Sequence, residues 1–400
     1  MRARPDPLLF AVCALGVTQI TAWGTSYYCL GVLANPIAKD TGWSLSLIYF
    51  GFTVSLLVMG ALSAWAGKAI DRHGAQAVMS TGTVLVSAGL LLLSYVRSEA
   101  GYLGVWAFLG AGMRLCLYDA AFAALVQVVP SRGRRAISYL TLFGAFASTV
   151  FWVVGHYLNE ALGWRETLAW FALINLAVCL PLNWFGLSRR EPAGAQEVAA
   201  AKPAVDGRPL EGKVRTIAIA LFALVMSLNG FVFGVVTVQL VPLLEAAGLA
   251  TAAAVWVASM KGFAQFGGRV VEIAFGRNLR AITVARIAIG VLPASFVVLL
   301  FSGGNLQAVV GFTLLMGASQ GVITIVRGAV PLALFGATGY GAVLGLLATP
   351  ILIVNAASPT LFALIVDAWG WNTGEIVLLA AAGSSWLAME AMSRWYERRR

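Results

Sequence analysis

Arg114 and Asp119 stand in an otherwise uncharged apolar stretch, GMRLCLYDAAF, and no other residue between Gly101 and Val129 carries a charge. A helix of that length rises about 1.5 Å per residue and is long enough to cross a bilayer. Ionisable groups at such depth are costly, and they mark a transport pathway or a buried partner. Lys261, between Ser-Met and Gly-Phe, occupies a second apolar run, and Arg327 lies too deep in a third to be a loop residue. Three cations against one acid leave surplus positive charge. A small carboxylate or oxyanion would neutralise it, with Arg offering a planar bidentate fork and Lys a compact donor. The chemistry on offer is anion recognition, and Asp119 is the one acid deep enough to carry a proton.

On an unbroken helix, five residues turn about 140° and rise about 7 Å. Arg114 and Asp119 are therefore expected on different faces, whereas Tyr118, at i+4, shares the face of Arg114. This places Arg114 and Tyr118 toward a central cavity and Asp119 toward a basic group on a neighbouring helix. The alternative is a structural Arg114–Asp119 pair, which would leave Arg114 no role with substrate. Tyr28, Asn229 and Asn355 lie near the centres of other runs and are the candidates to complete the cavity, although such residues also glue helices together. Arg286 is close enough to the start of its run to snorkel. His156 is a proton-relay candidate by residue type but reads as a buried, hydrogen-bonded side chain.

The elements that position these residues follow from composition. Sixty per cent of the 400 residues are hydrophobic and 11% charged, too little polar cover for a soluble globule. Apolar runs bounded by charges and turn residues predict twelve transmembrane helices, at about 8–38, 44–66, 76–96, 101–129, 136–158, 167–187, 215–245, 251–272, 279–301, 305–336, 338–366 and 373–393. The first run is too long for a signal peptide and has no small-residue cleavage site, so it reads as a retained helix. With both termini placed in the cytoplasm, 20 of the 27 Lys and Arg residues fall on that side and three on the other. This is the positive-inside pattern. It accounts for the net charge of +10 without a nucleic-acid partner. No nucleophile–base set, metal-ligand cluster or nucleotide loop stands out, so neither enzymatic activity nor a cofactor is expected. Cys13, Cys29, Cys116 and Cys179 lie in predicted spans without CxxC spacing and read as packing residues, with a soft-metal site as the other reading.

Residues 188–214, rich in Pro, Gly and mixed charge, read as a linker between a bundle at 1–187 and a second at 215–400. The halves echo each other: GAG at 110–112 matches GAS at 317–319, and EALGWRET from 160 matches DAWGWNTG from 367, both at an offset of 207 residues. Parallel repeats of this kind build transporters from two similar bundles.

The loop after the second run, GKAIDRHG, contains Gly67, Asp71, Arg72 and Gly74 at the spacing Gly-x-x-x-Asp-Arg-x-Gly, and a degraded copy, GRVVEIAFGR, places Gly268 and Glu272 in the second half. In these motifs the chain resembles the major facilitator superfamily. The resemblance implies that Gly67 lets its helix approach a neighbour closely, that Asp71 caps a helix N-terminus in the other half, and that Arg72 makes ionic contacts nearby, together forming a conformational latch. WGTSYYCLGVL, TGWSLSLIYFGFTVSLLVMG and RRAISYLTLFGAFAS resemble the monocarboxylate-porter and oxalate/formate-type branch. Two departures qualify that: Ile137 and Ser138 differ from the branch's Arg-Gly-x-Ala segment, and 342–365 lacks the lysine of the oxalate carrier; Gly144 followed by Ala145, where proton-driven drug antiporters have Gly-Pro, counts against a drug antiporter.

The expectation is an all-α membrane protein of twelve transmembrane helices in two pseudo-symmetric six-helix bundles. It would transport a monocarboxylate, dicarboxylate or oxyanion by alternating access, as a symporter or antiporter, with Asp119 the one internal group to couple protons and anion exchange needing none. The alternative is efflux of arsenical, antimonial or other toxic compounds. The expected setting is the lipid bilayer of a bacterial-type inner (plasma) membrane, with both termini cytoplasmic and the protein a monomer.

Overall fold

In lipid every backbone N–H and C=O must be satisfied within the protein, which leaves helices as the natural form for such apolar runs. The computed structural model describes residues 6–192 and 209–398, and these are helical throughout, with no strand. Of the predicted linker at 188–214, residues 193–208 lie outside the described residues. The helices are α1 Pro7–Thr41, α2 Leu45–His73, α3 Ala75–Tyr95, α4 Glu99–Val128, α5 Pro130–Leu162, α6 Trp164–Gly186, α7 Gly212–Ala246, α8 Thr251–Phe275, α9 Ala281–Leu300 and α10 Leu306–Phe335. A final run, Tyr340–Glu397, is two helices meeting at Gly370, whose φ of 79° is open to glycine and strained for other residues. We number residues 340–369 α11 and 371–397 α12. Except for α8, interrupted by Lys261, Arg269 and Glu272, each run is long and apolar enough to cross a membrane.

Local chemistry sets the helix starts. Asp6 accepts from the Leu8 N–H at 3.0 Å ahead of Pro7, and Ser44, Ser98 and Asn305 cap α2, α4 and α10 in the same way. Several helices are irregular within. α1 contains a π-helical turn at Trp23–Tyr27 and α6 another at Asn175–Cys179. The two are tied by Asn175 Nδ2 donating to Thr25 Oγ1 at 2.8 Å. α5 is interrupted at Ala145 and Phe146, and α4 breaks at Leu117.

Contacts divide the chain into two compact units. The first is Met1–Pro203 with Ala337–Thr349; the second is Ala204–Gly336 with Pro350–Arg400. The first turns of α11 therefore belong with the first unit, a departure from the simple division expected at 188–214. Within the first unit α4 is the most buried span, whereas α2, α5 and α6 bury only a third of their apolar windows. These three turn side chains such as Trp65, Trp170 and Phe185 outward, which is how a lipid-facing surface looks. Equivalent repeat positions pack alike. A Cβ on Gly110 of α4 would meet the Ser55 carbonyl of α2 at 2.4 Å, and one on Gly317 of α10 would meet the Lys261 carbonyl of α8 at 2.9 Å.

Candidate functional site

The opening pair is built by the break in α4. The helix stops at Cys116, passes through Leu117 in an extended conformation (φ −82°, ψ −168°) and resumes at Tyr118. No Pro or Gly marks the break. A side chain inserted into the helical ladder is a recognised cause, and here Gln19 of α1 donates through Nε2 to the Cys116 carbonyl at 2.9 Å. The break places Arg114 in the last turn of one segment and Asp119 in the first turn of the next, where the helix dipoles favour a cation and an anion respectively. Both side chains are buried, and Arg114 Nη1 donates to Asp119 Oδ2 in an ion pair. This corrects the helical-wheel expectation. Arg114 and Asp119 do meet, because rotation by 100° per residue does not carry across Leu117.

Tyr118 is half-buried and its hydroxyl lies against Gly144 in α5, where a Cβ would fall 1.7 Å from it. Its ring stacks on Phe122, with centroids 5.3 Å apart, and sits 5.0 Å from Trp23 of α1. Trp23 in turn lies 4.6 Å from Tyr27 and 5.9 Å from Tyr28, and its indole N–H donates to Gln19 Oε1 at 3.1 Å. Tyr28 is half-buried, and its carbonyl accepts from Trp152 Nε1 at 3.1 Å. Sequence reasoning missed Trp23. The Trp23/Tyr27 spacing of i, i+4 was the available signal.

The second unit holds the remaining candidates. Lys261 is half-buried near the middle of α8, with Nζ 5.7 Å from the centre of the Phe233 ring of α7. Among the described residues it makes no hydrogen bond and no ion pair with a carboxylate. Asn229 faces α12, donating to Ser385 Oγ at 2.5 Å, and Ser385 donates onward to the Val225 carbonyl. Asn355 is half-buried in α11 beside Gly234 of α7, where a Cβ would fall 2.9 Å from its Oδ1. Neither asparagine bonds to Lys261. Arg327 is half-buried in α10.

In the α2–α3 loop, Asp71 accepts from the Gly341 N–H at 3.0 Å and from the Ala342 N–H at 2.7 Å, at the N-terminus of α11. These are donors that no helical turn satisfies, at the positive end of the dipole. Gly67 makes the approach possible, since a Cβ there would fall 2.1 Å from the Gly341 carbonyl oxygen. Gly74 ends α2 with φ 83°. Arg72 departs from expectation: it is exposed and makes no ionic contact among the described residues. In the second unit Gly268 packs on α10, where a Cβ would meet the Ala318 carbonyl at 2.4 Å, and Glu272 is buried.

Several other ionisable groups are paired within their units. Arg286 forms a bidentate pair with Glu390 of α12 at 2.7 and 2.8 Å and also lies 3.8 Å from Glu397. His156 is exposed, not buried, and lies 3.5 Å from Glu160. Arg132 grips Asp6 through two bonds of 2.7 Å and also reaches Glu191. The Arg132 guanidinium holds the Asp6 carboxyl below its ordinary value. Cys29, Cys116 and Cys179 are buried and Cys13 is exposed, all as free thiols. No group of three His, Cys, Asp or Glu side chains suited to a metal ion occurs among the described residues.

The sequence profile of the Major Facilitator Superfamily matches residues 15–304. Multidrug resistance protein MdtL of Escherichia coli O81 (strain ED1a) is 27% identical over 203 residues, 50% of this chain and 49% of the relative. The chain thus spans about half the length of the curated relatives it matches. Among solved structures, the human organic anion transporter MFSD10 (TETRAN) superposes with a TM-score of 0.75 at 16% identity, covering 97% of this chain and 100% of that one. FucP in its outward conformation superposes with a TM-score of 0.67 at 15% identity, covering 97% and 99%. At these identities the structural likeness speaks to fold alone.

Proposed function

Because the chain belongs to the Major Facilitator Superfamily, we propose that it is a secondary active transporter carrying a small anionic solute by alternating access. It is an integral membrane protein, and the proposal includes two six-helix halves, 1–187 and 215–400, joined by a linker at 188–214. The carrying observation is Lys261: an ammonium at mid-span of α8 with no carboxylate partner among the described residues. Such a charge is expensive in a membrane, and a carboxylate or oxyanion solute would compensate it. Phe233 supports the same group by lying within cation–π range.

The α4 pair supplies the coupling element. While Asp119 is ionised, it neutralises Arg114. Protonation removes that negative charge and the reason for the pair to stay closed, so proton uptake at Asp119 frees the guanidinium for the solute. Tyr118 and Tyr28 in the first unit, and Arg327, Asn229 and Asn355 in the second, stay in the proposal as substrate-binding candidates, with Asn229 mainly joining α7 to α12. Asp71, seated on the α11 N-terminus over Gly67, is the proposed latch, since α11 cannot leave the α2–α3 loop without breaking both bonds.

The similarity to a multidrug resistance protein favours a second reading, export of toxic organic compounds. The arsenical version has weaker support, because no cluster of soft ligands is present among the described residues. The proposed setting is a bacterial inner membrane with both termini cytoplasmic and the protein a monomer. Resemblance to the monocarboxylate-porter branch supports the carboxylate class. Thermal unfolding of the purified protein with acetate, oxalate, succinate, benzoate and arsenate tests the reading, since a ligand of the native fold raises the melting temperature. At least one anion is expected to stabilise the wild type and to lose that effect in Lys261→Met. Stabilisation by cationic compounds alone would overturn it.

A further inference from the structure

Two backbone irregularities converge on one aromatic cluster in the first unit. The π turn of α1 begins at Trp23, and α4 resumes after its break at Tyr118. Their ring centroids lie 5.0 Å apart, with Tyr28 5.9 Å from Trp23. Local π-helical turns recur at functional sites, and each ring is fixed by its neighbours. The Trp23 indole N–H is held by Gln19, while Tyr118 is clamped between Phe122 and Gly144. Such rings can receive a ligand with little further loss of freedom.

The three rings are half-buried rather than sealed, and their helices are the internal ones. The apolar windows of α4 and α1 are 89% and 67% buried, against 33% for the outward-facing α2, α5 and α6. The half-open rings therefore sit on the two most buried spans of the first unit. Beside them the Arg114–Asp119 pair is internally balanced, so this wall offers aromatic rings in place of net charge.

We propose that Trp23, Tyr28 and Tyr118 form a ring-stacking subsite, and that the transported anion is an aryl carboxylate or a similar planar ring bearing an acidic group. The ring half rests on the aromatic cluster; only the acidic half rests on the anion reading above. A small inorganic oxyanion would leave this wall unused, whereas an aromatic pair in offset or edge contact adds affinity beyond area burial.

The test compares three ligands of similar size by the concentration needed to raise the melting temperature of the purified protein: benzoate, cyclohexanecarboxylate and benzamide. Benzoate is expected to act at a concentration about three- to tenfold lower than cyclohexanecarboxylate. Trp23→Leu should abolish that preference, and Trp23→Phe should retain most of it. Equal potency of benzoate and cyclohexanecarboxylate on the wild type overturns the ring subsite, whatever the variants do, and leaves the anion reading standing. Benzamide acting as well as benzoate supports the subsite and removes the anion reading. No stabilisation by either ring compound, benzoate or benzamide, overturns the subsite.

Discussion

Removing Asp119 alone would strand the Arg114 guanidinium inside the most buried span, and removing Arg114 alone would strand a carboxylate. Breaking a buried pair from one side costs about 3–5 kcal/mol, whereas replacing both partners with apolar residues costs far less. Asp119→Leu is therefore expected to unfold more readily than the double variant Arg114→Met with Asp119→Leu, as read by melting temperature. A double variant less stable than either single one would contradict the pairing. Asp6 gives the pH-dependent counterpart. Its carboxyl titrates lower in the folded protein because Arg132 holds the charged form, so its contribution is present above the ordinary carboxylate value and is lost as pH falls through the lowered one. The pair is solvent-exposed, so the effect is under about 1 kcal/mol. Asp6→Asn should lower the melting temperature slightly at pH 7 and by less as the pH falls below the ordinary carboxylate value.

The elements were legible where composition and pattern decide them. Twelve apolar runs, the Gly67–Asp71 loop and the repeat offset could all be read from residue order, because length, charge placement and turn chemistry are local. The break in α4 was not. Nothing between Arg114 and Asp119 is a helix breaker, and the Cys116 carbonyl is taken by Gln19, distant in sequence. A helical wheel has no term for a tertiary hydrogen bond, so it separated two charges that the fold joins. The same blindness hid Trp23, whose partners come from two irregular helices. Gln19→Leu leaves the Cys116 carbonyl without its donor and should cost about 1–3 kcal/mol, read as a lower melting temperature. Gly67→Val puts side-chain atoms against the Gly341 backbone and should also destabilise, by about 1–3 kcal/mol. Unchanged stability in Gly67→Val would mean that α2 and α11 do not rely on that approach.

At the scale of the whole molecule, the fold is that of a large superfamily and says little about cargo; the balance of intramembrane charge says more. Arg114 is accounted for by Asp119, and Arg286 by Glu390, which leaves Lys261 as the candidate anion receptor. Uptake of radiolabelled acetate, oxalate, succinate and benzoate into proteoliposomes under an imposed pH gradient tests this most directly. Wild-type protein should accumulate at least one of them, and Lys261→Met should reduce that uptake by about tenfold or more, the loss of a charge-assisted contact of about 1.5–3 kcal/mol. Wild-type uptake of the same anion by Lys261→Met, or movement of cationic compounds with no anion transported, would contradict the account.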